Sequence, residues 1–236
     1  MAYISKRFPS DINKLIINSY LNVVDRSMLF CACEKNDVIL SSMDVVVATA
    51  TEKGYTNILI WIEKLVDIKF YSDSIITNAS RYGHLDIIKR YEEYITPGTI
   101  ISPACFGGQL HVLKWLDETN YYKSWKYQDS ACTAAAGEGH LEVVKWLVEK
   151  LCPISRNAFI GALLGEHIHV LDWLYFINHD YFGGREATKQ RKLKSLKWLH
   201  SRRLFDVDEC MKIAKRENYP EIVDWIISEY PNRNFE

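Results

Sequence analysis

Seven times the chain writes nearly the same nine residues. "GHLEVVKWL" starts at Gly139, and its variants start at Gly54, Gly83, Gly108, Glu166, Arg191 and Asn218. Aligned on Trp146, the copies place Trp61, Arg90, Trp115, Trp146, Trp173, Trp198 and Trp225 in one slot, at intervals of 25 to 31 residues. Eleven residues before each of these sits an alanine: Ala50, Ala79, Ala104, Ala135, Ala162, Ala187 and Ala214. Self-similarity at such a period means a row of supersecondary units, each too small to bury its own apolar face.

The frame reads as helix, turn, helix. Asp44, Asp73, Asp129 and Asp208 stand where a cap is wanted for the first helix. The fixed alanine lets a neighbouring backbone approach. The glycine position, four residues on, ends that helix in a left-handed conformation, which Asn218 also adopts readily. Pro220 falls where the second helix begins, a place that tolerates proline. In the second helix Leu141, Val143, Val144, Leu147, Val148 and Leu151 share a wide face, with Glu142, Lys145 and Glu149 opposite. The tryptophans sit at the edge of that face. They are expected to form a lateral ladder between repeats, partly buried, with Trp225 exposed at the end of the row.

The totals agree with a soluble, all-α chain. Of 236 residues, 48% are hydrophobic and 25% charged, with a formal net charge of −1. That balance gives no general case for nucleic acid or an acidic membrane as partner. Cys31, Cys33, Cys105, Cys132, Cys152 and Cys210 show no paired spacing. They read as reduced core residues, which points to an intracellular, cytoplasmic setting. The start "MAYISKRFPSD" has no apolar stretch of the signal-peptide kind, and no apolar run is long enough to cross a bilayer.

The pattern A-x-x-x-G-H-L-E-V-V-K-W-L resembles the two-helix portion of the ankyrin repeat, over roughly residues 38–230. The unit here is shorter, and the Thr-Pro-Leu-His start of the ankyrin repeat is missing. Connectors between repeats vary in length, so whether the longer ones keep a hairpin finger is open. The short, Trp-bearing style looks like the ankyrin proteins of amoeba-infecting giant viruses. The resemblance implies an all-α solenoid of about seven repeats over residues 38–236, behind an N-terminal helical segment, residues 1–37. It also implies a viral protein at work in the host cytoplasm.

That N-terminal segment resembles an F-box. Phe8, Pro9, Asp11, Ile12, Tyr20, Leu21, Asp25, Leu29 and Cys33 stand near matching places, while Asn36 stands where the F-box pattern has tryptophan. The resemblance implies docking onto the adaptor of a cullin–RING ubiquitin ligase, with Pro9, Ile12 and Leu29 as docking candidates. The other reading is a cap that covers the apolar end of the first repeat.

Motifs for catalysis are absent: there is no HExxH, P-loop or nucleophile elbow. No catalytic, cofactor or metal site is expected. His167 and His169, two apart on a helix, point in different directions and make a poor metal pair. His84, His140 and His167 recur directly after the glycine position, as turn histidines bonding backbone groups at the helix junction would.

Two stretches break the frame. Residues 120–130, in the longest connector, hold Tyr121, Tyr122, Trp125 and Tyr127. These are either anchors for a partner or a cover for the neighbouring repeats. Residues 185–203 carry eight basic residues against the single acid Glu186. They read either as a basic face for an acidic partner, with Lys189, Lys192 and Arg202 as contacts, or as a solvated helix face. Nucleic-acid binding there is the weaker reading, because aromatics are sparse in the run. The function expected is non-catalytic protein binding, as a ligase substrate adaptor or as a plain structural scaffold.

Overall fold

The computed structural model describes residues 36–64, 66–119, 129–177 and 182–235. Pro9, Ile12, Leu29, Tyr121, Tyr122, Trp125 and Tyr127 lie outside the described residues, as does the side chain of Trp61. Among the described residues the secondary structure is helical and no strand occurs.

Among the described residues the helices come in seven pairs, one for each copy of the sequence frame. They are α1 (Asn36–Glu52) with α2 (Thr56–Ile62), α3 (Ser72–Tyr82) with α4 (Leu85–Arg90), and α5 (Pro97–Phe106) with α6 (Leu110–Glu118). Then follow α7 (Asp129–Gly137) with α8 (Leu141–Glu149), and α9 (Arg156–Leu164) with α10 (Ile168–Ile177). The last pairs are α11 (Gly184–Lys189) with α12 (Leu193–Ser201) and α13 (Val207–Arg216) with α14 (Pro220–Glu229). Short 3-10 turns, Ile68–Tyr71 and Glu92–Tyr94, occupy the first two connectors in place of a hairpin finger. Helix α1 runs straight through residue 38, where the repeat region was expected to begin.

All seven frame positions turn left-handed. Gly54, Gly83, Gly108 and Gly139 have φ between 71° and 82°, and Glu166, Arg191 and Asn218 have φ of 56°, 55° and 57°. At each turn the next residue's N–H donates to the carbonyl of the fixed alanine. Examples are Tyr55 to Ala50 at 2.7 Å, His140 to Ala135 at 2.8 Å and Tyr219 to Ala214 at 2.9 Å. This six-residue closure satisfies a carbonyl that the helix end would otherwise orphan. Because the bond is made by backbone, it survives where the glycine is replaced.

The same alanines form the spine of the core. All seven are buried, and the first helices pack on one another in chain order, α1 on α3 through to α11 on α13. Helices α7 and α9 approach closely, so that a Cβ on Gly161 would lie 3.3 Å from the Cα of Gly137. Second helices add their apolar faces in a fixed register around the Trp slot. Val112, Leu113 and Leu116, then Val143, Val144 and Leu147, then Val170, Leu171 and Leu174 are all buried. Each such side chain contributes about 2 kcal/mol by leaving water. In α12 the register holds Ser195 instead, and its hydroxyl donates to the Leu163 carbonyl of the preceding repeat at 2.5 Å.

Two local expectations are corrected. The frame aspartates Asp44, Asp73 and Asp208 do not cap the first helices. Asp73 and Asp208 lie inside the first turns of α3 and α13, and Asp44 lies within α1. The side-chain caps are Thr96, in a reciprocal capping box with Thr99, and Asp206, which accepts from the Glu209 N–H. One turn inside, an acid still interacts favourably with the positive end of the helix dipole, which explains the position without a cap bond. Leu151 does not join the apolar face of α8. That helix stops at Glu149, and Leu151 turns to φ 64° with 66% of its surface exposed.

Candidate interaction surface

A row of helix pairs has two long edges. One is formed by the turns within pairs, the other by the connectors between them.

The turn edge is built by side chains that reach back one repeat. His84 Nε2 donates to the Glu52 carbonyl at 2.8 Å, Gln109 Nε2 to Arg81 at 3.1 Å and His140 Nε2 to Phe106 at 2.9 Å. Tyr219, in the same register, donates its hydroxyl to the Lys189 carbonyl at 3.3 Å. His111 and His169, two positions further on, bond the carbonyls of Gly83 and Gly139. These groups saturate helix C-termini across the repeat boundary, so the histidines hold the stack together. His167 lies over Gly139 and packs edge-on to His169, with ring centroids 6.1 Å apart. Among the described residues no group of three His, Cys, Asp or Glu side chains is placed to hold a metal ion.

The connector edge carries the Trp slot. Trp198 is buried against Phe159 and Tyr175, with centroids 6.0 and 5.8 Å away, and its indole N–H donates to Asp172 at 2.8 Å. Arg202 bonds that carboxylate at 2.7 Å and lies over the rings of Tyr175 and Trp198. Lys150 pairs with Asp117 of the previous repeat and stands 5.6 Å above the Trp146 ring. Where the slot is Arg90, its guanidinium grips Glu63 through two bonds, and the Tyr91 hydroxyl adds a third at 2.6 Å. Arg90 foremost, then Tyr91, holds the Glu63 carboxyl below its ordinary range. Burial, then the adjacent carboxylate, pushes the Tyr91 phenol well above its own. Trp146, Trp198 and Trp225 are buried, whereas Trp115 and Trp173 are half-buried. The expectation of an exposed Trp225 is therefore corrected: the rings of His200 and Phe205 pack edge-on against it, with centroids 5.8 and 5.4 Å away.

The basic run of 185–203 is divided by the fold. Since α11 and α12 form a hairpin, Lys189 and Lys192 lie at the turn edge, while Arg185 and Arg202 lie at the connector edge. The nine residues of α12 put roughly 13 Å between its ends. Lys189 is exposed and Lys192 half-buried, and neither has a carboxylate partner among the described residues. Arg185 approaches Glu209 at 3.8 Å, and Arg202 already has Asp172.

Sequence reasoning missed the apolar exposure of the connector edge. Phe70 is 86% exposed, Phe176 79% and Phe182 61%, and Leu151 stands out with them. All lie past the Trp slot, Phe176 in the last turn of α10 and the others in the connectors, and that was the available signal. Beside Phe182 an open cleft of about 720 Å³ is lined by Arg156, Arg185, Arg203, Phe205 and Glu209 among others. Arg156 pairs there with Glu186 at 3.3 Å. Among the described residues no helix is long and apolar enough to cross a membrane.

No model of a known protein family matches the chain, and a search of curated proteins found no significant match.

Proposed function

We propose that the chain is an ankyrin-like repeat solenoid that binds another protein along its connector edge and catalyses nothing. The observation that carries this reading is the row of exposed Phe70, Leu151, Phe176 and Phe182 beside a rigid, cross-bonded stack. Large apolar side chains held out on a fixed scaffold are the usual anchors of a protein interface. Tyr121, Tyr122, Trp125 and Tyr127, in the sequence between Glu118 and Asp129, are further candidate anchors. Division of the basic run between two edges favours a basic rim that meets an acidic protein over a nucleic-acid track.

Residues 1–37 would then serve as the F-box-like part, linking the bound target to a ubiquitin-ligase adaptor in the cytoplasm of the host cell. The second reading is a structural scaffold with no ligase link, in which that segment caps α1. The test is affinity purification of three full-repeat forms: unaltered, Phe176→Ser with Phe182→Ser, and lacking residues 1–37. The edge variant should lose the target and keep the adaptor; the truncated form should do the reverse. Retention of every partner by the folded edge variant rejects the connector edge as binding surface. Retention of the adaptor by the truncated form, or its absence throughout, favours the scaffold.

A further inference from the structure

Cys132, on α7, and Cys152, in the connector after α8, lie with their sulfur atoms 3.2 Å apart. Neither is in a disulfide and both are buried, at 0% and 4% exposure. We propose that this pair is a site of reversible oxidation, which a small peroxide converts into an intramolecular disulfide.

The surroundings favour closure. A disulfide needs the sulfurs at about 2.05 Å, so closing takes a movement of about 1.2 Å. Cys132 is fixed by a helix packed on both sides, against α5 and α9. Cys152 is not: α8 ends at Glu149 and α9 begins at Arg156, and between them the chain runs without regular structure, past a left-handed Leu151 and then Pro153. The connector can supply the movement. Cys152 is also the sulfur nearer to solvent, which makes it the one a peroxide meets. Cys105 on α5 is a bystander. It is completely buried, and burial above all, then its proximity to Cys152, pushes its thiol up, so it stays protonated and unreactive.

The chemistry balances with hydrogen peroxide as oxidant. Cys152 Sγ attacks one peroxide oxygen, the O–O bond breaks, and the thiol's own proton completes a water, leaving a sulfenic acid. Cys132 Sγ then attacks the sulfenic sulfur while releasing its proton. The S–S bond forms, the S–O bond breaks, and a second water leaves. The two thiols together lose two electrons, and the peroxide gains them. The product pins the connector that displays Leu151 to the first helix of its own repeat.

The experiment treats the folded full chain with hydrogen peroxide, then alkylates it in denaturant and maps the peptides. The expected result is a linked Cys132–Cys152 peptide pair, an intact mass lower by two hydrogen atoms, and complete reversal by dithiothreitol. Cys105→Ser should leave the cross-link unchanged. Cys132→Ser should stop the reaction at a sulfenic acid on Cys152 that dimedone traps. The proposal is overturned if the folded unaltered chain keeps both thiols free, if Cys152 oxidises beyond sulfenic acid without cross-linking, or if Cys105 replaces either partner. Should Cys132→Ser fail to fold, the map of the unaltered chain decides alone.

Discussion

The imidazole of His140 lies directly over Gly108, one repeat earlier. Its Nε2 donates to the Phe106 carbonyl at 2.9 Å, and a Cβ on Gly108 would meet its Nδ1 at 2.6 Å. The glycine is therefore required twice, by its own φ of 71° and by the ring that covers it. Gly54 under His84 and Gly139 under His167 repeat the arrangement. Where the position is Arg191, the covering residue is Tyr219, and the guanidinium stacks on its ring at 5.1 Å.

Gly108→Ala should consequently destabilise the fold by roughly 2–3 kcal/mol, combining about 1–2 kcal/mol for a left-handed side chain with displacement of His140. Asn218→Gly relieves a left-handed strain with no ring to displace, and should stabilise by ~0.5 kcal/mol. Urea denaturation of both variants measures the contrast. Equal effects of the same sign would show that the ring does not press on the turn.

His140→Ala removes a bond to a carbonyl at a helix end and should cost about 1 kcal/mol. His140→Gln should recover most of that, because Gln109 already makes the equivalent bond to Arg81 one repeat before. Stability curves for the pair separate a lost hydrogen bond from lost ring packing, which glutamine would not restore.

Trp198→Ala should cost about 3–5 kcal/mol, since it empties a buried site and strands the Asp172–Arg202 pair. Trp225→Ala should cost nearly as much, despite its place in the last repeat, because His200 and Phe205 enclose it. The half-buried Trp115 and Trp173 should cost less. Thermal melting of the four variants gives the order directly.

The pattern of what the sequence disclosed follows from where each constraint acts. The left-handed turn at Asn218 was legible from alignment with Gly139; those at Glu166 and Arg191 were not read from residue type, and they persist because the bond to the fixed alanine is backbone to backbone. Burial of Trp225 was not legible: it depends on His200 and on Phe205, which lies in the connector before α13 and occupies no repeat frame position. The basic run misled for a topological reason. Lys189 and Arg202 are near in sequence, but the hairpin of α11 and α12 sends them to opposite edges. The apolar connector edge was hidden because Phe70 and Phe182 occupy no shared frame position.

Acid should weaken the first repeat boundary. Glu63 is held below its ordinary range by Arg90, then Tyr91, so its contribution is complete above the pKa of the unfolded carboxyl and is lost as pH falls through the lower, folded value. The pair is partly exposed, so the contribution should be about 0.5–1 kcal/mol. Denaturation between neutral pH and pH values below the ordinary carboxylate range should show the loss in the unaltered chain. Glu63→Gln should lower stability at neutral pH and flatten that part of the profile; an unchanged acid limb would mean that other carboxylates govern it.

The two ends of the basic run should respond differently to charge reversal. Arg202 is bonded to Asp172 and lies over two aromatic rings, so Arg202→Glu should place two carboxylates together and destabilise by about 1–3 kcal/mol. Lys189 and Lys192 lack such ties among the described residues. Lys189→Glu with Lys192→Glu should leave the melting temperature nearly unchanged and slow association with an acidic partner, most strongly at low salt. Melting curves and association rates on the same variants decide the matter. Loss of association rate in folded Arg202→Glu alone would move the steering charge to the connector edge. Loss in the lysine variant alone would place it at the turn edge, away from the apolar anchors.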